Sequence, residues 1–493
     1  MSERPDTNER RDIDAITAIH CADCAASDSA AYDAVPIDYM PIPTEALTGF
    51  PDGVPRLGRV NRQCFLKNGF LGFASVYAAS KIPWQTAFES AVAEGAAPSN
   101  PCVVMLFLNG GNDGPNTFVP FAQAEYDSYI ALRPTIGRTQ GGTGPGGSTQ
   151  MAGPDGRLAF ANVLLNNGTL GGLDDLWGAG VHTDPTAKLA LFPATDFPNP
   201  SFSHFTSRDW WFAGALQQSS TGWLGRWLDR YGSATNPLQA VSIGSNVSKM
   251  IRAATAPVAS VPENLAGFGF NVSGAGDVNG EVGPLTVTPP GNASTARSRA
   301  VYGQTVQVAQ QLQTVTHVPG VNYPANSSLS RRLQLAATLL QANLGTRIVT
   351  IDWGSFDTHG SQVTSQDPQL TVLAQALAAF NADLVNRGIE QRVITVVFSE
   401  FGRRGHENAS LGTDHGAGGP LQVIGSQVRG GIAGQPASMT PAALVGGNLA
   451  VTTDFRSVYA SIINEWLGGD ANAVLPGGPF PLTRVDGAPG LIR

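Results

Sequence analysis

The run CVVMLFL, residues 102–108, contains no polar residue and stops abruptly at NGGNDG. A strand that is apolar on both faces must be covered on both, so this segment reads as a central strand of a layered sheet feeding a tight loop. The same grammar returns twice. RIVTIDW follows LSRRLQLAATLLQANLG, in which Leu329, Leu333, Ala337, Leu340 and Leu344 keep helical spacing and Gly345 suits a helix end. QRVITVVF follows DPQLTVLAQALAAFNADLVNRG, which opens on the cap-like pair Asp367 and Pro368 and closes on Gly388. Strands that alternate with helices of this length pair in parallel. The expected fold class is therefore α/β: a layered, mostly parallel sheet with helices on both faces and loop-rich insertions. A last helix, DFRSVYASIINEWLG, has a candidate cap in Asp454 and a packing face of Phe455, Tyr459, Ile462 and Trp466.

A chain of 493 residues, 42% of them hydrophobic, can bury a large core and has room for two domains or one large domain with insertions. Only 14% of residues are charged, while 58 are Gly and 34 are Pro, so long ordered loops should separate the regular elements and hold the function. The formal charge of −8, without any sustained Lys/Arg run, lacks the positive footprint of a nucleic-acid binder. A metal or a local arginine pair can still reverse the field inside one pocket and admit an anion.

Residues 1–97 read as a polar, turn-rich extension followed by a signal-like or amphipathic segment, and residues 98–493 as the folded α/β domain. NRQCFLKNGFLGFASVYAAS resembles an export signal of the twin-arginine type, with Gln63 where the second arginine would stand, and its apolar part is too short to span a bilayer. Cleavage would leave a mature chain beginning near Pro98. An ordinary amphipathic helix packed on the domain is the other reading. Cys21 and Cys24 in HCADC have metal-like spacing without a second pair, so a local disulfide or two idle thiols fits them better. Residues 256–328 form a long turn-rich insertion with little periodicity.

In sheets of this kind, ligands gather beyond the carboxyl ends of the strands. Asp113 follows the first strand; Asp357 and His359 follow RIVTIDW; Glu400, Asp414 and His415 follow QRVITVVF. Carboxylates offer hard oxygen donors and imidazoles offer nitrogen, which is what a divalent-metal site uses. Two such ions could clamp the attacking and leaving oxygens of an in-line displacement. Ser203, at the start of the helical stretch in NPSFSHFTSRDWW, could supply a nucleophile favoured by the helix dipole, or simply cap that helix. Arg403 and Arg404 could grip phosphate or sulfate oxygens, or pair with Glu400 or Glu407. Asp414 could orient an imidazole, and His204 is a weaker candidate for a supporting role.

Five blocks in order, VVMLFLNGGNDGPNTFVP, NPSFSHFTSRDWW, DWGSFDTHGSQ, FSEFGRRGHENASLGTDHGAGGPLQVIG and VLPGGPFP, resemble those of the exported bacterial family known as domain of unknown function 1501. The resemblance implies an alkaline-phosphatase-like fold of the phosphatase and sulfatase superfamily and one or two divalent ions, Zn, Mn, Ca or Mg. It implies metal ligands at Asp113, Asp357, His359, Glu400 and His415, with Ser203 near the place of the nucleophile. Phe401 stands where phosphatases of the superfamily carry a histidine, which points to a depleted or reorganised second metal site. The expected function is metal-dependent hydrolysis of phosphate or sulfate esters outside the cytoplasm, on a small anionic ester or an anionic polymer. The alternative is a non-catalytic exported binding or assembly protein that keeps the fold, with self-association through its loops.

Overall fold

The computed structural model describes residues 100–153, 156–234, 236–263, 271–272, 276–277, 320–342 and 344–493. The signal-like segment, Cys21, Cys24, Cys64 and most of the 256–328 insertion lie outside the described residues. A nine-stranded sheet organises the domain. Its strands in chain order are β1 (Cys102–Leu108), β2 (Leu189–Asp196), β3 (Ala240–Ile243), β4 (Ala259–Val261), β5 (Ile348–Trp353), β6 (Val393–Phe398), β7 (Gly419–Ile424), β8 (Gly431–Ile432) and β9 (Thr453–Asp454). Across the sheet the order is β8, β2, β7, β6, β1, β5, β3, β4, with β9 also on β2. Only β7 runs against the others, pairing antiparallel with both β6 and β2. The mostly parallel α/β expectation holds, with β1 near the centre as its composition requires.

The alternation of side chains along β1 separates two cores. Cys102, Val104, Leu106 and Leu108 face one side, where α3 (Ser328–Gln341) and α4 (Gln362–Asn386) bring Leu333, Leu340, Leu373 and Phe380. Val103, Met105 and Phe107 face the other, covered by α1 (His204–Ala213), α2 (Trp223–Tyr231) and α5 (Phe455–Ser461). A residue-by-residue period of two on a strand leaves no other way to bury seven consecutive apolar side chains. Trp211 of α1 stacks between Phe398 and Phe455, with ring centroids 5.3 and 4.3 Å away. Trp211→Ala would cost about 3–5 kcal/mol through the cavity it leaves, and would loosen the helix whose first residue is His204.

Three boundaries differ from expectation. α3 closes at Gln341, before Gly345, which instead turns the chain at φ +73° into β5. α4 begins at Gln362, so Pro368 lies inside it and not at its first turn. The early start is held by tertiary bonds: Gln362 N donates to the Leu411 carbonyl, and its side-chain oxygen accepts from Thr358 and Thr413. The supposed loop-rich insertion contributes β4, which extends the parallel sheet beside β3. No helix among the described residues is long and apolar enough to cross a membrane.

Candidate metal centre

Loops leaving the carboxyl ends of β1, β2, β5 and β6 meet at one rim. Two glycines after β1 make the approach possible. Gly110 has φ +108°, and a Cβ there would lie 2.3 Å from the Asp357 amide nitrogen; Gly111 has φ +86°, and a Cβ would lie 2.5 Å from the Phe401 ring. Any larger residue would push the β5 and β6 loops away from β1. The β6 loop folds back on itself, with Gly402 and Arg403 paired antiparallel to Gly416 and His415, and so returns His415 to the rim.

Three histidines converge there, each fixed in the same way. His415 Nδ1 lies 2.8 Å from the Phe202 carbonyl, just before α1. His204 Nδ1 lies 2.8 Å from Glu400 Oε1. His359 Nδ1 lies 3.2 Å from Asp414 Oδ1. A carbonyl or a carboxylate only accepts, so each imidazole carries its hydrogen on Nδ1 and, when neutral, presents a bare Nε2. Those Nε2 atoms meet around Asp357. His415 Nε2 is 2.9 Å from His359 Nε2, and they stand 3.0 and 3.1 Å from Asp357 Oδ1. His204 Nε2 is 3.4 Å from Asp357 Oδ2. Ligands that share one ion at bond lengths of about 2.0–2.1 Å are separated by roughly 2.9–3.4 Å. His204, Asp357 and His415 form a group with ligand atoms all within 4.8 Å of one another, and His359 adjoins it.

The surrounding charges support this geometry. Burial would push the Asp357 carboxyl up, but the Arg403 guanidinium that donates to it outweighs this and holds the group at about 2, so it is ionised. The hydrogen bond from His204 to Glu400 raises the His204 imidazole above its usual value and favours positive charge at that point. Burial lowers His415 and keeps it neutral. The Asn408 amide, 3.1 Å from Asp414 Oδ1, lowers the Asp414 carboxyl and also donates to the His359 carbonyl at 2.9 Å. Asn408 therefore holds both the His359 backbone and the acid that orients its imidazole.

The sequence-based candidates divide. Asp357, His359 and His415 come together. Glu400 stands one step back: both its oxygens accept from Gly110 N, at 3.0 and 3.1 Å, and one binds His204. The roles expected of His204 and Glu400 are thus exchanged, the histidine facing the centre and the acid orienting it. Asp113 is engaged elsewhere. It is fully buried, gripped by Arg133 at 2.5 and 3.0 Å and by Gln362 Nε2 at 2.5 Å. Ser203 is exposed between Phe202 and His204, and its hydroxyl accepts from Thr206 N as the cap of α1. Arg403 is 0% exposed. It donates to the carbonyls of Gly110, Gly111, Phe356 and Thr413 and, at 2.7 Å, to Asp357 Oδ1, so no donor of it reaches solvent. Asn408 and the Phe202 carbonyl carried no signal in the sequence, because one is a common loop residue and the other is backbone.

Residues 293–447 match the model of a family described as a protein of unknown function (DUF1501). The match supports that unknown-function family. It carries Asp357, His359, Glu400, Arg403, Asn408, Asp414 and His415, whereas Asp113, Ser203 and His204 lie before it. His204 therefore joins the cluster only through the fold. No curated protein matches the chain.

Proposed function

We propose that this chain is an exported, metal-dependent hydrolase of phosphate or sulfate esters with an alkaline-phosphatase-like arrangement. One observation supports the reading: ligand atoms of His204, Asp357 and His415 lie within 4.8 Å of one another, with His359 Nε2 2.9 Å from His415 Nε2, and the Asp357 carboxylate among them is ionised. His204, Asp357, His359 and His415 would hold the ion, a set of three nitrogens and one oxygen. That set suits zinc or a similar borderline ion better than calcium or magnesium, which prefer all-oxygen sites. When bound, the ion would polarise an ester oxygen and lower the pKa of a nucleophile. Glu400 and Asp414 orient the imidazoles through Nδ1, and Asp357 stays ionised through Arg403. The rim is open, with His359 47% and Asp414 51% exposed at the side chain, so an ester of a bulky alcohol or a polymer can approach. Ser203 is the exposed hydroxyl between two residues that touch the cluster, and either it or water supplies the nucleophile. Export rests on the twin-arginine-like segment of the sequence, and amino-terminal sequencing of the secreted chain beginning near Pro98 would bear on it.

The test is elemental analysis of the purified chain, then turnover of aryl phosphate and aryl sulfate esters with and without chelator, beside Asp357→Asn and Ser203→Ala. Bound metal with turnover abolished by chelator and by Asp357→Asn supports the hydrolase; loss in Ser203→Ala as well assigns the nucleophile to serine. A second reading, a non-catalytic binding or assembly protein, draws on the burial of Arg403, which removes the expected grip on an anion. Metal without turnover of either ester class would favour it.

A further inference from the structure

We propose that this centre takes a single ion, and that the Arg403 guanidinium and the Phe401 ring together occupy the room a second ion would need. The inference rests on the metal-centre reading above. The family resemblance places metal ligands at Asp113 and Glu400 and a histidine at the position of Phe401, so these are the residues a second ion would need. Each of those positions is otherwise engaged. Asp113 is closed off by the Arg133 fork and by Gln362. Glu400 binds the Gly110 amide with both oxygens and His204 with one. Phe401, 1% exposed, offers no donor, and its ring packs 4.5 Å from His415 and 4.9 Å from His204 between centroids, hard against Gly111.

The remaining demand at such a position would be positive charge, and Arg403 already supplies it. Its Nη2 lies 2.7 Å from Asp357 Oδ1 and also donates to Gly110 and Phe356 carbonyls, so it ties the β1 and β5 loops together. A guanidinium keeps its charge at any pH the fold tolerates, and its planar fork satisfies several oxygens at once. A second ion seeking the Gly110 and Phe356 carbonyls would have to displace this guanidinium, which already fills that place. Arg403 is thus a positioning residue: it fixes Asp357 through Oδ1, the oxygen that also faces His359 and His415, and leaves Oδ2 towards His204.

The experiment counts ions on the full chain by native mass spectrometry and by equilibrium dialysis with elemental detection, using Zn²⁺ and Mn²⁺ separately at micromolar free ion. One ion per chain is expected for each metal that binds. Two tightly held ions would overturn the single-ion inference and leave the metal centre intact; none would overturn both. Phe401→His adds an imidazole where the ring now lies, and with Arg403 in place the count should stay at one in a variant that retains the wild-type circular dichroism spectrum. A rise to two would show that the ring alone excluded the second ion and would overturn the part assigned to Arg403. His204→Ala should weaken binding at least tenfold at unchanged stoichiometry, and an unaltered affinity would remove His204 from the ligand set.

Discussion

His359 Nε2 and His415 Nε2 face each other at 2.9 Å, although each ring already commits its Nδ1 hydrogen to an acceptor on the far side. With both Nδ1 hydrogens so committed, the two Nε2 atoms are left facing each other beside the Asp357 carboxylate. Saturating divalent metal should therefore stabilise the chain by mass action, by about 2.7 kcal/mol at a hundredfold excess over the dissociation constant. Chelator should reverse the gain, and His415→Ala should show no metal-dependent shift in melting temperature. A variant that kept the full shift would exclude His415 as a ligand.

Asp113 should matter for folding and not for metal. Removing it leaves the fully buried Arg133 without its counter-charge, a situation that costs about 3–5 kcal/mol. Urea unfolding of Asp113→Ala should show a loss of that order, with metal affinity within a few fold of wild type when measured well below the transition. Lost affinity in a folded variant would return Asp113 to the ligand set.

Asn408 should behave as an orienting residue. Its amide holds Asp414 and the His359 carbonyl, so Asn408→Ala frees the His359 ring to turn. Metal affinity by calorimetry should fall roughly 10- to 100-fold, the range typical of residues that position a ligand. Its Oδ1 also accepts from the Ser410 and Gly412 amides, so the melting temperature of the metal-free chain should fall modestly as well.

Ser203→Ala removes a helix cap whose hydrogen bond is long at 3.4 Å. The expected loss of stability is about 1 kcal/mol or less. Metal content should be unchanged, since the hydroxyl is engaged by the helix and not by the histidine cluster. Loss of the metal in this variant would mean that the hydroxyl is a ligand.

Asp352 at the end of β5 gives a pH-dependent signature. Burial pushes its carboxyl up to about 6, with Arg208 and Arg332 opposing and Glu400 adding to the rise. The folded chain thus keeps a proton that the unfolded chain releases above about 3.8. The stability contributed by this group is full below pH 3.8 and is lost as pH rises through 6. Asp352→Asn stays neutral, so its stability relative to wild type should rise across that window, by up to about 3 kcal/mol. Denaturation at pH 3.5, 5 and 7 checks this; a difference independent of pH would place the carboxyl in contact with water.

The layered sheet was legible because strand and helix periods are local. CVVMLFL has to be covered on both faces wherever it goes, and the two helix and strand repeats after residue 328 impose parallel pairing. The placement of Asp357, His359 and His415 on strand-end loops was legible for the same reason, since a loop that follows a parallel strand opens on the carboxyl edge. Which atoms meet there was decided only by folding. Arg133 captures Asp113, Glu400 turns to His204, and Arg403 is buried against four carbonyls, and in each case the partner comes from a remote segment or is a backbone atom. A hydrogen bond selects its partner within about 3 Å in space, and distance along the chain carries no information about that choice until the loops have closed.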